Sequence, residues 1–158
     1  MHCTRRLAFK ADDNPILACP ELFEAPRPTR QSSGDMTAPI FEITKAAAFD
    51  AAHFLPAGPE DSQYRRMHGH SFTVEATLRG EATAPVGWVE DLAELDAALK
   101  ATAAVLDHGV LNERPGLESP TLENLCLYFA AQLSPRFPGL VRVMVSRPTI
   151  GERCVLDL

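Results

Sequence analysis

Three histidines stand where one cation would collect them. His68 and His70 lie two residues apart, and His53 follows Phe49-Asp50-Ala51-Ala52 near the end of the preceding strand. Side chains two apart on a strand share a face, with their bases roughly 6–7 Å apart. If the His53 segment pairs antiparallel with the next strand, three imidazoles converge. Three neutral imidazoles with an open fourth position suit a catalytic zinc ion. Zinc so held lowers the pKa of bound water or polarises a bound oxygen. Taken alone, two histidines around a glycine are weak support, because surface or hydrogen-bonded core histidines read the same way. Gly69 fits either close packing on a metal or ligand, or a turn.

Other side chains add chemistry. Asp107 precedes His108. Asp107 can fix the His108 tautomer and raise its basicity, which makes His108 a proton shuttle. The plainer reading is a helix end, where an imidazolium meets the helix dipole. Tyr64, four residues before His68, can line the same cavity or simply pack. Arg65, Arg66 and Arg147 are either solvated or set to meet an acidic ligand group. Trp88 reads as a partly buried anchor. Cys126 and Cys154 read as structural, and Cys3 and Cys19 fall in the N-terminal segment.

The elements that must hold these groups follow from periodicity. Ile40 to Phe49 has strand character, weakened by its alanines. His70 to Arg79 alternates, with Phe72, Val74, Ala76 and Leu78 on one face. Asp91 caps a helix, with Glu94 as its reciprocal partner and Leu92, Leu95, Leu99, Ala103 and Leu106 as the buried stripe. Pro120 opens a second helix that buries Leu122, Leu125, Phe129 and Leu133 and stops at Pro135. Leu140 to Ser146 is a strand with Val141, Val143 and Val145 on one side, and Arg153 to Leu158 is the last strand. The order β, β, α, α, β, β predicts an α+β layer of four antiparallel strands with two helices on one face. Residues 1–38 read as an extension or flexible tail, and 39–158 as the domain.

Composition bounds the function. The chain has 158 residues and 46% apolar content, enough for one packed domain. A formal charge of −6 gives no draw toward a nucleic-acid backbone. No apolar run is long enough to span a bilayer, and Met1 to Arg6 lacks a secretory pattern. With four scattered cysteines, a reduced, cytoplasmic protein is expected, with neither nucleic acid nor membrane as partner.

Five separated segments then carry a family resemblance. FDAAHFLP, RRMHGHSFTVEATLRG, GWVEDLAELDAAL, LDHGVLN and PGLESPTLENL occur in one order between residues 49 and 125. Together they resemble the 6-pyruvoyl-tetrahydropterin synthase family, and most nearly its 6-carboxy-5,6,7,8-tetrahydropterin synthase branch of queuosine biosynthesis. The resemblance covers about residues 40–158. It implies a tunnelling fold assembled as homo-oligomers, trimers or hexamers, with active sites at subunit interfaces. It implies zinc on His53, His68 and His70, with a dihydroneopterin-type pterin as the small-molecule ligand. In the queuosine branch that ligand is 7,8-dihydroneopterin triphosphate, and acetaldehyde and triphosphate leave. It casts Asp107 and His108 as the pair that assists a catalytic cysteine, and Thr121, Arg147 and Glu152 as the positions on the substrate side. Two positions depart from the pattern. The catalytic cysteine's place holds Tyr64, and a phenol is a poor base near neutral pH. The pterin-anchoring glutamate's place holds Arg147, which has donors only, leaving Glu152 as the nearby carboxylate. A paralogue with an altered substrate, or a pterin-binding protein impaired in catalysis, is the alternative reading.

Overall fold

A computed structural model of the chain describes residues 38–158. The tail assigned to residues 1–38 therefore lies almost wholly outside the described residues. Four strands and two helices make up the body: β1 (Ile40–His53), β2 (His68–Glu81), α1 (Leu92–Leu106), α2 (Leu122–Leu133), β3 (Leu140–Arg147) and β4 (Glu152–Asp157). The strands form one antiparallel sheet in the order β1-β2-β3-β4. Helix α1 packs on β1, and α2 packs on β3 and β4, both on one face. This is the α+β arrangement expected from the periodicities.

The covered face follows the two-residue strand period. β1 contributes Ala47, Phe49 and Ala51, and β2 contributes Phe72, Val74, Ala76 and Leu78, all buried. Leu95, Leu99, Ala103 and Leu106 of α1 and Leu125, Phe129 and Leu133 of α2 close over them. Phe49 stacks on Phe72 at 5.1 Å between ring centroids, which joins the first two strands inside the core. On the other face, the Thr44 and Thr77 hydroxyls meet at 2.8 Å, and Thr77 is itself buried.

Several local expectations are corrected. β1 continues past its alanines to His53, because all of its residues pair with β2. Leu92 leaves the buried stripe and is exposed at the start of α1. Asp91 caps α1 through Ala93 N–H, but Glu94 pairs with Arg136 instead of reaching back to the cap. Pro120 precedes the second helix, and Thr121 is its cap, accepting from Asn124 N–H. The pairing of β2 with β3 shifts register between Thr77 and Leu78 of β2, so that Leu140 pairs with Leu78 and Arg142 with Thr77. Val141 is the extra residue of that bulge, and Leu140 takes the inward place it would have filled. No helix among the described residues is long and apolar enough to cross a membrane.

Candidate metal centre and ligand cavity

The alternation that buries the core also builds the histidine cluster. On β1, Phe49 and Ala51 point inward, and so does His53 two residues later; it is 1% exposed. On β2 the inward row that runs through Phe72 and Val74 begins with His68 and His70. His53 and His68 are directly paired across the two strands, and His70 stands opposite Ala51. Their ring centroids are 4.4 Å (His53–His68), 5.0 Å (His68–His70) and 5.4 Å (His53–His70) apart. Each can offer one ring nitrogen, and the three nitrogens lie within 4.8 Å of one another.

Two backbone carbonyls orient two of these rings. His53 Nδ1–H donates to Pro120 O at 3.2 Å, and His68 Nδ1–H donates to Arg66 O at 2.7 Å. That leaves a lone pair on Nε2 of each ring. Both Nε2 atoms are buried and have no hydrogen-bond partner among the described residues. Burial, then the neighbouring imidazoles of His68 and His70 and the charge of Arg147, push His53 down to about 4. At neutral pH it is therefore an unprotonated ring with an unused lone pair. Such a group is costly to bury unless something binds it. The donor set, the fixed tautomers and the two unpartnered nitrogens fit a zinc ion. His70 differs, because its Nε2 accepts from Arg147 Nη1 at 3.3 Å.

The cluster stands between two hollows. One, of about 590 Å³, is lined by His53, Thr121, Glu123, Arg147, Glu152 and Arg153 among others. Thr121, Arg147 and Glu152, singled out in the sequence, are thus gathered around one space with His53. Arg147 and Glu152 are cross-strand partners. Arg147 Nη2 lies 2.8 Å from Glu152 Oε2, an ion pair without hydrogen-bond alignment. The second hollow, an open groove of about 680 Å³, is lined by His70, Asp50, Gly69, Ser71, His108 and Glu113 among others. A Cβ on Gly69 would meet Ala51 O at 3.4 Å, an ordinary contact, so neither packing nor backbone demands glycine there.

Asp107 and His108 lie on the outer edge of β1. Helix α1 ends at Leu106, and His108 turns into the left-handed region with φ 53°. Its N–H then donates to Asp50 O at 2.7 Å, and Ala52 N–H donates to Gly109 O at 2.9 Å. Asp107 Oδ1 accepts from Asp50 N–H at 2.9 Å, and its Oδ2 lies 2.8 Å from His108 Nδ1. The Asp50 N–H first, and then His108, hold the Asp107 carboxyl below its usual range. Hydrogen bonding to Asp107 raises His108 above its usual value. The dyad is formed, but the His108 side chain is 80% exposed, a surface setting in place of the burial its shuttle role calls for.

Tyr64 sits on the one-turn segment Gln63–Arg65, with its ring centroid 6.1 Å from that of His68. Trp88 is not part of this end of the molecule. It bridges Thr83, past the far end of the 14-residue β2, and lines a separate apolar groove with Phe41 and Leu92. A strand of that length separates it from the histidines by roughly 40 Å.

The sequence pattern did not single out three groups that hold the site. The carbonyls of Arg66 and Pro120 set ring orientation, and backbone atoms leave no mark in residue type. Asn112 was legible only as the last residue of LDHGVLN. Its Oδ1 accepts from Phe54 N–H at 2.9 Å, and its Nδ2 donates to Phe54 O at 2.8 Å, which ties down the residue after His53.

Residues 42–157 match the family described as 6-pyruvoyl tetrahydropterin synthase. The chain belongs to that family. It is 39% identical over 109 residues to the 6-carboxy-5,6,7,8-tetrahydropterin synthase of Synechocystis, a match covering 65% of this chain and 83% of that protein. It is also 31% identical over 101 residues to the dihydroneopterin monophosphate aldolase of Pyrococcus furiosus, covering 64% of this chain and 82% of that one. Among solved structures, the Caenorhabditis elegans 6-pyruvoyl tetrahydropterin synthase superposes with a TM-score of 0.68 at 23% identity, covering 77% of this chain and 97% of that one. That likeness carries the fold, the tunnelling fold of this family.

Proposed function

We propose that this family member is a zinc-dependent pterin-processing lyase, resembling 6-carboxytetrahydropterin synthase and acting on 7,8-dihydroneopterin triphosphate. One observation carries the reading. His53 and His68 present unpartnered, buried Nε2 atoms toward one another, beside a cavity lined by Thr121, Arg147 and Glu152. Zinc held by His53, His68 and His70 supplies a Lewis acid for the side-chain oxygens of a pterin. The chain's own residues do the rest. Arg66 O and Pro120 O keep two rings in the ligating tautomer. Glu152 accepts from the N–H groups of the heterocycle and Arg147 donates to its carbonyl oxygen, a division of labour forced by their hydrogen-bonding inventories. Asp107 holds His108 Nδ1–H and leaves Nε2 to carry the mobile proton. With the dyad on an exposed sheet edge, its partner cavity is that of a neighbouring copy in a homo-oligomer, a trimer or a hexamer.

A second reading is favoured by Tyr64 and Arg147, which occupy the cysteine and glutamate places of the resemblance. In it, the chain is a paralogue with another substrate, or it binds a pterin without turning it over. The named relatives already differ, one a monophosphate aldolase and one a carboxytetrahydropterin synthase. The deciding experiment incubates zinc-loaded protein with 7,8-dihydroneopterin, its monophosphate and its triphosphate, with products read by mass spectrometry. The 6-carboxy product from the triphosphate is expected. Product only from another substrate establishes the paralogue. Binding without product, with turnover gained in Tyr64→Cys, establishes the impaired binder. Zinc-loaded protein that neither binds nor converts any of them refutes both readings.

A further inference from the structure

The third histidine of the cluster is already in use. Arg147 ends β3 on the same face as Val143 and Val145, and its side chain is only 11% exposed. Its guanidinium reaches the cluster from the side opposite His53's strand. Nη1 donates to His70 Nε2 at 3.3 Å, and Nη2 faces Glu152 Oε2 at 2.8 Å. Arginine is always charged and has no acceptor. One lone pair serves one partner, so His70 Nε2 cannot hold Arg147 and ligate a cation at once. Nε2 of His53 and of His68 face no such competitor among the described residues.

We infer that Arg147 is an internal, displaceable cation that competes with a divalent cation for His70 Nε2, so that the metal must evict it to use all three rings, and that Glu152 is the carboxylate that retains it afterwards. The inference rests on the metal-centre reading above. Eviction costs the Arg147–His70 contact, and it also leaves a positive charge beside the incoming dication in a partly dry site, where Coulomb repulsion is weakly screened. Glu152 offsets that repulsion and keeps the guanidinium paired. The site therefore trades affinity for exchangeability.

The test is a zinc competition titration against a chromophoric chelator, on the full chain and on Arg147→Met and Glu152→Gln variants. Losing a charge-assisted hydrogen bond that opposes metal binding should make Arg147→Met bind zinc roughly 10-fold tighter than the unaltered chain. Glu152→Gln should bind it more weakly, because the repulsion is no longer offset. Equal or weaker binding by Arg147→Met overturns the inference and leaves the metal centre standing. No zinc binding by either protein overturns the metal centre as well, so the two failures are distinct. Should Arg147→Met not fold, the same question is put to the unaltered chain. Zinc addition must move the Arg147 Nε–H resonance in a nitrogen-proton spectrum, and an unmoved resonance at full zinc occupancy overturns the eviction.

Discussion

Asn112 is where the geometry makes its most exposed claim. Among the described residues this side chain makes no hydrogen bond to a candidate metal ligand, yet it grips both backbone polar groups of Phe54, the residue after His53. Its Nδ2 also donates to Glu118 O at 3.2 Å, in an exposed setting. A hydrogen bond nets about 1 kcal/mol, and a donor left unpaired in a partly buried place costs up to about 3 kcal/mol. With the exposed Glu118 contact discounted, Asn112→Ala should lower unfolding stability by about 2–3 kcal/mol. Asn112→Asp keeps the acceptor for Phe54 N–H but loses both donors, so about 1–2 kcal/mol is expected. Urea unfolding of metal-free protein measures both. The functional half follows from position. With Phe54 released, the His53 ring loses its rigid mount, and zinc affinity should fall 10–100-fold, as it does when groups that orient metal ligands are removed. A stability loss below about 0.5 kcal/mol in Asn112→Ala would refute the hydrogen-bond reasoning. A full stability loss with unchanged zinc affinity would show that the clamp holds the loop and does not position His53.

Three further outcomes are expected. Zinc at 100 times its dissociation constant should stabilise the fold by about 2.7 kcal/mol, read as a shift of the urea midpoint; His68→Ala should abolish the increment, and a shift that survives it places the metal elsewhere. Because Asp107 raises His108, the stabilisation from their pairing is fully present below the unfolded-state value of 6.5 and is lost as pH rises through the higher folded value. Asp107→Asn should therefore move the His108 titration, followed by NMR, to lower pH, and an unmoved titration refutes the pairing. Burial above all pushes the Cys126 thiol up to about 12. Its peptide should then stay unalkylated by iodoacetamide at pH 8 in native protein and react promptly in urea, whereas rapid native labelling would mean that α2 opens.

The sheet was legible where one face is greasy and the other is not. His70 to Arg79 alternates without a break, so the facing of Phe72, Val74, Ala76 and Leu78 was readable, and the two-residue period carried His68 and His70 onto the same face. The pairing of His53 with His68 was not readable. It depends on register, and the connection between those strands, residues 54–67, is far too long for a tight turn to dictate one. Alanine at 46, 47, 48, 51 and 52 further blurred the extent of β1, because small side chains reveal little about which face is covered. Leu92 failed as a core residue for a different reason: it opens α1 and faces the apolar groove that it lines with Phe41 and Trp88. The bulge at Val141 left three evenly spaced valines looking alike when only two of them face inward. Trp88, read as a partly buried anchor, is half exposed, because it closes the loop past the far end of β2.

The three histidines and the two positions read from the sequence as departures sit in different settings. His53, His68 and His70 continue the inward rows of two long paired strands, so any shift that moved them would also move Phe49 and Phe72 out of the core. Their placement is bound to the packing that stabilises the fold. Tyr64 rides a single helical turn between strands, and Arg147 and Glu152 flank the short Pro148–Ile150 connection that ends in Gly151 at φ 72°. A side chain on such a turn, as Tyr64 is, can change without disturbing core packing, whereas Arg147 and Glu152 belong to the adjoining ends of β3 and β4. Arg147 and Glu152 also face each other across the strand pair, so a cation in one place is matched by an anion in the other. Arg147 is therefore one half of a coupled pair. Replacing it alone leaves Glu152 without its counter-ion, which is why a change at either residue should register at the histidine cluster as well as in the cavity beside it.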